Sequence, residues 1–470
     1  MRGLRQFGWL VAGLMLSLVS AGAATFYTLR TTGSASNRLS IVFLAEGYTS
    51  AQTNLFLTDC TNALNAFFGG GAYTGEEPFV EYSNYFNAYA VFTNSAQSGS
   101  DHPRYSLVRT TAFNSTYDAT LDYIITIPPG PTGQGLVDGF ITNNAAPWSQ
   151  ARYKLPVMIV NDVIKGGSGG ATAIVSTGGD FQGVLVHESC HTLAGLGDEY
   201  EADPGGADYS NLPSEPNTTT NTTFNLIPWK SWIDTNTTAI PTPDYPTNAA
   251  LVGLFEGAHY SPTGWYRPKR TCRMRSVTTG VPLCEVCREA LVKTFYSKVR
   301  AIDSATPTNV SVNITSNALA TFSVVPLQPL NHALAIQWQL NGTNLPGATN
   351  SVLNLQPESI TNGAYSLRAV VRDNTDWVRN DPANLLASTN SWNLSIAVPQ
   401  LWIESPAALA GGGFRFTVRG SAVTNFTIKA STNLANWTSL STNTLVAGQL
   451  SFTNTSGLPL RFYRTVAPPQ

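Results

Sequence analysis

His187-Glu188-Ser189-Cys190-His191 sets two imidazoles four positions apart, with a carboxylate beside the first. On a helix, such residues lie on one face about one turn apart, so both rings can aim at one cation. Glu188 then stands next to the metal rather than on it. Zinc bound this way keeps a position open for water, and a neighbouring carboxylate can take the water's proton once its pKa has fallen toward ~7. The chemistry this implies is peptide-bond hydrolysis.

A third ligand is needed, and the chain offers Asp198 with Glu199 beside it. The commonest extended pattern, H-E-x-x-H-x-x-G-x-x-H, would place that ligand one residue earlier. Asp198 is the expected ligand, with Glu199 as the alternative. Tyr200, His259 and Tyr266 are further candidates for contact with substrate or an oxyanion, each equally readable as a structural residue.

These groups need a helix to carry them. Gly178-Gly179-Asp180 offers an N-cap, and Phe181, Val184, Leu185 and Leu193 give an apolar face at helical spacing. Gly195 and Gly197 then end the helix and let the chain turn, which would bring Asp198 back toward the histidines.

From Leu39 to about Ile302, strand-like and helix-like segments alternate. Arg38–Leu44, Tyr85–Phe92, Leu121–Ile127 and Leu155–Val160 read as strands, and Ala51–Phe68 as a helix. Gly166–Gly170 reads as a flexible turn before the histidine helix. The Pro-, Asn- and Thr-rich stretch Ala202–Ala250 reads as surface loops walling a cleft. Cys284–Arg300 is amphipathic and would close the domain, with Asp303–Pro307 as a linker. Beyond it the spacing becomes alternating. Trp338 with the later Gly363-Ala364-Tyr365 resembles an immunoglobulin-like sandwich in which Leu367 stands where a second cysteine would be. From Pro399 to the end a second small β module is expected.

The chain has 470 residues, enough for about three domains. Net charge is −2 with 12% charged residues and no basic run, so no nucleic acid or anionic membrane is expected as partner. Arg2 and Arg5, an apolar run from Trp9 to Val19 and Ala21-Gly22-Ala23 have the layout of a secretory signal peptide. No later stretch is apolar enough to span a bilayer. The expected location is therefore secreted, cell-surface or periplasmic. The five cysteines leave at least one thiol unpaired. A second zinc site at Cys284-x-x-Cys287 lacks a matching second pair, so a disulfide involving the cluster of Cys272, Cys284 and Cys287 is the expected arrangement.

Several separated segments agree in order with one family. Ile41 to Thr49 around Gly47-Tyr48, Ser98 to Pro103 with Asp101-His102, His187 to Tyr200, Ile227 to Trp232, Glu256 to Tyr260, Tyr266-Arg267-Pro268, and Thr271 to Arg275 with Leu283 to Glu289 resemble the immunoglobulin A peptidase family of secreted zinc metallopeptidases. The resemblance covers about residues 36–300. It implies an α/β metzincin-like zinc peptidase domain, zinc on His187, His191 and Asp198, Glu188 as general base, and Met274 in a turn beneath the metal. Cys190 departs from the Gly more usual before the second histidine, and a bridge to the cysteine cluster would account for it.

The expected organisation is a signal peptide at 1–23, the metallopeptidase domain at 24–302, an immunoglobulin-like β-sandwich at 308–397 and a C-terminal β module at 399–470. The expected function is a secreted zinc endopeptidase with one catalytic ion, acting on extracellular proteins. Its C-terminal modules would contact cell surfaces or glycans. The rival readings are a non-catalytic metal-containing binding protein and a zinc amidase acting on cell-wall peptides.

Overall fold

The computed structural model describes residues 24–201, 214–315, 318–398, 400–421, 425–455 and 461–466. The expected signal peptide, 1–23, lies outside them. Contact between Cα atoms divides the chain into two units. The first holds the residues through Ala301 together with Leu327–Leu334 and Asp373–Leu386.

The first unit is organised on a six-stranded sheet. Its chain order runs β1 (Thr25–Arg30), β2 (Leu39–Glu46), α1 (Thr53–Phe68), β3 (Phe86–Phe92), β4 (Thr116–Tyr117), β5 (Ile125–Thr126), α2 (Gln134–Ile141), β6 (Tyr153–Val160), β7 (Gly167–Ser168), β8 (Ala173–Ser176) and α3 (Phe181–Ala194). It ends with β9 (Phe255–Ala258), β10 (Ser261–Arg267) and α4 (Glu285–Lys298). The sheet order is β1-β3-β2-β6-β8-β7. β2 runs parallel to β3 and β6, and β6 parallel to β8, while β1 and β7 are antiparallel edges. Both faces of β2 are covered, so all of Leu39–Glu46 is buried and the strand reads as a continuous apolar run. On one face Val42, Leu44, Val91 and Met158 pack with Trp148, Phe113 and Val137 of α2. The fully buried Trp148 meets Phe26 and Tyr89 at ring-centroid distances of 5.4 and 5.5 Å. Helices α1 and α3 pack against each other, and α3 packs against β6, β8 and α4.

The returning segments are tied into this unit by polar bonds. Asp373 Oδ2 accepts the hydroxyls of Tyr82 (2.7 Å) and Tyr296 (2.8 Å). Tyr85 donates to the carbonyl of Leu327 at 2.8 Å. His332 bridges Glu81 (2.7 Å) and the other Asp373 oxygen (2.9 Å).

The second unit is built of strands, with one 3-10 turn at Pro357–Ser359 among its described residues. β11 (Ile302–Thr306), β13 (Ala320–Pro326) and β16 (Val352–Leu355) form one sheet. The other contains β12 (Ser311–Ile314), β14 (Ala335–Leu340), β15 (Thr343–Asn344), β17 (Gly363–Arg372) and β18 (Ala387–Ile396). Phe322 of the first sheet meets Trp392 of the second at 5.3 Å, and Trp392 stacks on the fully buried Trp338. Tyr365 donates its hydroxyl to the Thr361 carbonyl at 2.9 Å, a corner that pins the start of β17. Two three-stranded sheets follow, β19 (Gln400–Ala408) with β20 (Phe414–Ser421) and β23 (Gln449–Asn454), and β21 (Phe426–Ser431) with β22 (Thr438–Asn443) and β24 (Phe462–Val466). They enclose Phe416, Val418, Phe426 and Ile428.

These findings correct several expectations. The chain is mostly β, 35% strand against 18% helix, with four α-helices among the described residues, so the α/β metzincin-like fold class does not hold. Helical spacing is confined to those four segments. In the proline-rich stretch before Ala250, missing N–H groups leave only single 3-10 turns among the described residues, such as Phe224–Leu226 and Pro246–Asn248. The Leu121–Ile127 strand shrinks to Ile125–Thr126, because the Asp118 carboxylate accepts the N–H groups of Thr120 and Leu121 and curls the chain into a turn. The expected linker Asp303–Pro307 is occupied by β11, which pairs with β13. No disulfide forms among the described residues, and all five cysteines are free thiols in the interior.

Candidate active site

Helix α3 carries both histidines on the side facing the cleft. Asp180 stands at its N-cap without a capping bond and instead pairs with Lys165 at 2.9 Å. Gly183 is required in the first turn, because a Cβ there would lie 1.7 Å from the Val277 carbonyl oxygen. At the other end Gly195 adopts φ +61°, its N–H bonding the His191 carbonyl at 3.0 Å, and the chain doubles back through Leu196 and Gly197 to Asp198.

His187 Nε2 and His191 Nε2 stand 3.1 Å apart. Asp198 Oδ1 lies 2.9 Å from the first and 3.2 Å from the second. Each ring is fixed from behind: His187 Nδ1 lies 3.0 Å from the Arg273 carbonyl and His191 Nδ1 2.5 Å from that of Leu196. A carbonyl only accepts, so each Nδ1 carries the proton and each Nε2 turns a lone pair toward the other and toward the carboxylate. The second Asp198 oxygen receives the Tyr260 hydroxyl. Asp198 Oδ1 is buried and, despite its neighbours, makes no hydrogen bond of acceptable geometry. Three lone-pair donors converging on one point repel one another unless a cation stands among them, so the set fits a divalent metal ion. Of the two neighbouring carboxylates, Asp198 is the one that faces the histidines. Glu199 faces elsewhere, toward Asn217 Nδ2 at 2.9 Å and Cys287 Sγ at 3.3 Å. A carboxylate oxygen of Glu188 lies within 4.8 Å of one ring nitrogen of each histidine.

A cleft of about 860 Å³ opens onto this point, lined by Tyr123, Gly166–Gly170, His187, Glu188, His191, Asp198, Tyr200, Glu215, His259, Tyr260 and Arg275–Thr278. The glycine run is one wall of it rather than a loop alone. A Cβ on Gly169 would stand 2.5 Å from that of His191, and one on Gly167 3.0 Å from Glu188 Cγ.

The sequence model of the IgA peptidase M64 family matches residues 27–249 and 244–295, the span that holds all of these groups. The chain belongs to the IgA peptidase M64 family. It is therefore a peptidase, and peptidases of the M64 family are metallopeptidases. No curated protein matches the sequence. Among solved structures, it is similar to the fibronectin(III)-like modules of CbhA from Clostridium thermocellum at 8% identity, over 35% of this chain and 85% of theirs, with a TM-score of 0.15. It is also similar to β-glucuronidase 3 of Bacteroides uniformis at 8% identity, over 44% of this chain and 29% of that one, with a TM-score of 0.14.

In this M64 peptidase the electrostatics of the site follow from burial opposed by close charge. Burial works against charging His191, but the Asp198 carboxylate outweighs it and pushes the pKa up to about 9 in the metal-free protein. Burial likewise raises Asp198, yet the two histidines hold it well below the usual carboxylate range. Glu188 is raised above the ordinary value, mainly by burial, with the histidines opposing. Burial and then the Asp198 charge raise Tyr200 and Tyr260 far enough to keep both hydroxyls protonated.

The other family segments brace the site. Glu46, buried at the end of β2, accepts from Thr111 Oγ1 (2.5 Å), Phe113 N (2.9 Å) and Ser115 N (2.8 Å). Gly47 takes φ +71° against Gly99, whose carbonyl oxygen would lie 2.3 Å from an added Cβ. His102 stacks on Tyr117 and bonds Asp162 at 3.0 Å, and Tyr117 donates to the Ile164 carbonyl at 2.6 Å, just before the glycine wall. Arg273, whose carbonyl holds His187, is itself clamped by Glu76 at 3.0 Å. Met274 is fully buried, and its carbonyl accepts the Glu199 N–H at 2.8 Å. His259 pairs with Glu215 at 3.1 Å and stacks on Trp265, and both His259 and Glu215 line the cleft. Tyr266 sits in β10, pairs with Thr219 and is not among the cleft residues. Sequence reasoning gave Tyr260, Arg273 and Asn217 no role at the site. Their roles depend on main-chain and hydroxyl contacts across long sequence separations, which leave no periodic signal.

Proposed function

We propose that the chain is a zinc-dependent endopeptidase in which His187, His191 and Asp198 hold the ion and Glu188 is the general base. The convergence of His187 Nε2, His191 Nε2 and the orphaned Asp198 Oδ1 carries this reading. An ion bound there supplies Lewis acidity toward the scissile carbonyl and an easily deprotonated water. Glu188, with its proton affinity raised by burial, takes a proton from the attacking water and delivers it to the leaving amine nitrogen. Tyr260 holds Asp198 in one orientation, and the Arg273 and Leu196 carbonyls hold the two rings. The glycine-rich wall, in which Ser168 carries the one side chain and donates its hydroxyl to the Ile125 carbonyl, supports an extended substrate main chain as the occupant of the cleft.

Export of the chain is part of this proposal and rests on the residue pattern at 1–23. No helix among the described residues is long and apolar enough to cross a membrane. Purified protein should digest unfolded casein, lose that activity to a chelator and regain it with zinc. Release of peptides from peptidoglycan with casein untouched would replace the endopeptidase reading by an amidase. Absence of both activities in zinc-loaded protein would sink the catalytic reading.

A further inference from the structure

A second group of donors lies behind the first. Cys272, Cys284, Cys287 and Glu199 are all buried, and one ligand atom from each lies within 4.8 Å of the others. Cys272 Sγ and Cys287 Sγ are 3.6 Å apart, as are Cys284 Sγ and Cys287 Sγ. Glu199 Oε1 is 3.3 Å from Cys287 Sγ. For zinc–sulfur bonds of about 2.3 Å, the edge of a tetrahedron between two sulfurs is roughly 3.8 Å, close to these separations. A disulfide would need the sulfurs at about 2.05 Å.

Two further observations point to a cation. Glu199 is completely buried, and its Oε2 has no hydrogen-bond partner, so a carboxylate stands among three sulfurs in the interior with one oxygen unsatisfied. That is costly unless positive charge is present. In addition, the backbone N–H of Cys284 donates to Cys272 Sγ at 3.3 Å, the kind of bond that supports a sulfur carrying negative charge. The local fold delivers the donors together. Cys284 is the N-cap of α4 and Cys287 lies in its first turn, so Cys-x-x-Cys opens a helix whose free N–H groups favour anions. Cys272 precedes the Arg273-Met274 segment, and Glu199 is fixed to that segment by its N–H bond to the Met274 carbonyl.

We propose that Cys272, Cys284, Cys287 and Glu199 bind a second, structural zinc ion. Three thiolates with one carboxylate complete a closed tetrahedron with no position left for water, the arrangement of a structural rather than a catalytic site. Sulfur ligands select zinc over the hard cations magnesium and calcium. The ion joins three separate stretches, the chain after α3, the segment holding His187 from behind, and the start of α4. Its presence fixes the peptide next to the active-site ligand Asp198. The assignment uses none of the active-site donors and stands whether or not the chain proves to be an endopeptidase.

The test is metal analysis and cobalt substitution of the full chain. Wild-type protein should hold one more zinc equivalent than the active site alone accounts for. Exchange with cobalt should produce the near-ultraviolet thiolate-to-cobalt charge-transfer absorption that nitrogen and oxygen ligands cannot give. His187→Ala should lose one equivalent and keep that absorption, whereas Cys287→Ser should lose the absorption. If Cys287→Ser does not fold, the wild-type spectrum and a thiol titration still decide. After denaturation with chelator and no reductant, all five cysteines of the chain should react. Cobalt-loaded wild type without charge-transfer absorption, or a titration showing two thiols lost to a disulfide in the cluster, would overturn the proposal.

Discussion

Asp198 and Glu199 are consecutive, and their carboxylates face different clusters: Asp198 Oδ1 lies 2.9 Å from His187 Nε2, and Glu199 Oε1 lies 3.3 Å from Cys287 Sγ. The main chain between them is held on both sides, the Asp198 carbonyl accepting the His259 N–H at 2.8 Å and the Glu199 N–H reaching Met274. One peptide thus orients two acids in opposite senses.

Asp198→Ala should therefore remove the active-site metal together with activity, because it deletes a direct donor. Tyr260→Phe should weaken metal affinity by about 10–100-fold while leaving the donors in place. Equilibrium dialysis against zinc, read beside peptidase rate, checks both. If Asp198→Ala binds the active-site ion as tightly as wild type, the ligand set is wrong.

Glu188→Gln should keep the metal and the fold but lower kcat by ~10²–10⁴-fold, since proton transfer is the contribution removed. The measurement is steady-state cleavage of an unstructured peptide by protein of verified metal content. Near-normal turnover would exclude Glu188 as base.

Met274→Ala should lower stability by about 2–5 kcal/mol with the metal retained, because a fully buried side chain is truncated while its carbonyl bond to Glu199 remains. Glu76→Ala should cost about 3–5 kcal/mol by leaving the buried Arg273 guanidinium without its ion-pair partner. Denaturant unfolding of the holoprotein reads each value, and wild-type midpoints would refute the packing and pairing described.

His332 supplies a pH dependence away from the active site. Burial lowers its pKa, but Asp373 and then Glu81 overcome this, and the folded value lies above the ordinary one. The Tyr82 ring also faces it, and Tyr82 stays protonated. A raised folded pKa gives stability that is fully present below the unfolded value and lost as pH rises through the folded value. The stability advantage of wild type over His332→Gln should therefore be largest on the acid side of the histidine range and shrink above it. Melting curves of the pair from acid to mildly alkaline pH would show a constant gap if the ring does not titrate there.

Ending the chain at Ala301 removes Leu327–Leu334 and Asp373–Leu386 from the first unit, along with the partners of Glu81, Tyr82 and Tyr296. Each buried hydroxyl left unsatisfied costs ~1–3 kcal/mol. The shortened chain should melt well below the full one, and Asp373→Ala in the full chain should reproduce part of the loss. Equal melting temperatures would show that the returning segments are dispensable.

The position of the candidate site was legible because its residues are close in sequence. His187, Glu188 and His191 share two turns of one helix, and Gly195 marks the turn that returns Asp198. The different orientations of Asp198 and Glu199 were not legible, because they depend on Met274 and Tyr260, which approach from distant parts of the sequence. Strands β2, β3 and β6 were legible as apolar runs buried on both faces. The fold class was not, because the segments alternating over Leu39–Ile302 yield only four α-helices among the described residues, and strand outweighs helix, 35% against 18%. The cysteines were grouped correctly but read as a disulfide, because spacing cannot show that Glu199 stands among Cys272, Cys284 and Cys287.

The discontinuity of the first unit also has a bearing on synthesis. Domains ordinarily fold as they emerge, N-terminal part first. Here a nascent chain that has emerged only as far as α4 already holds His187, Glu188, His191 and Asp198, but still lacks the Asp373 carboxylate that accepts from Tyr82 and Tyr296. The unit is complete in sequence only once Leu386 has emerged, when most of the polypeptide has been made.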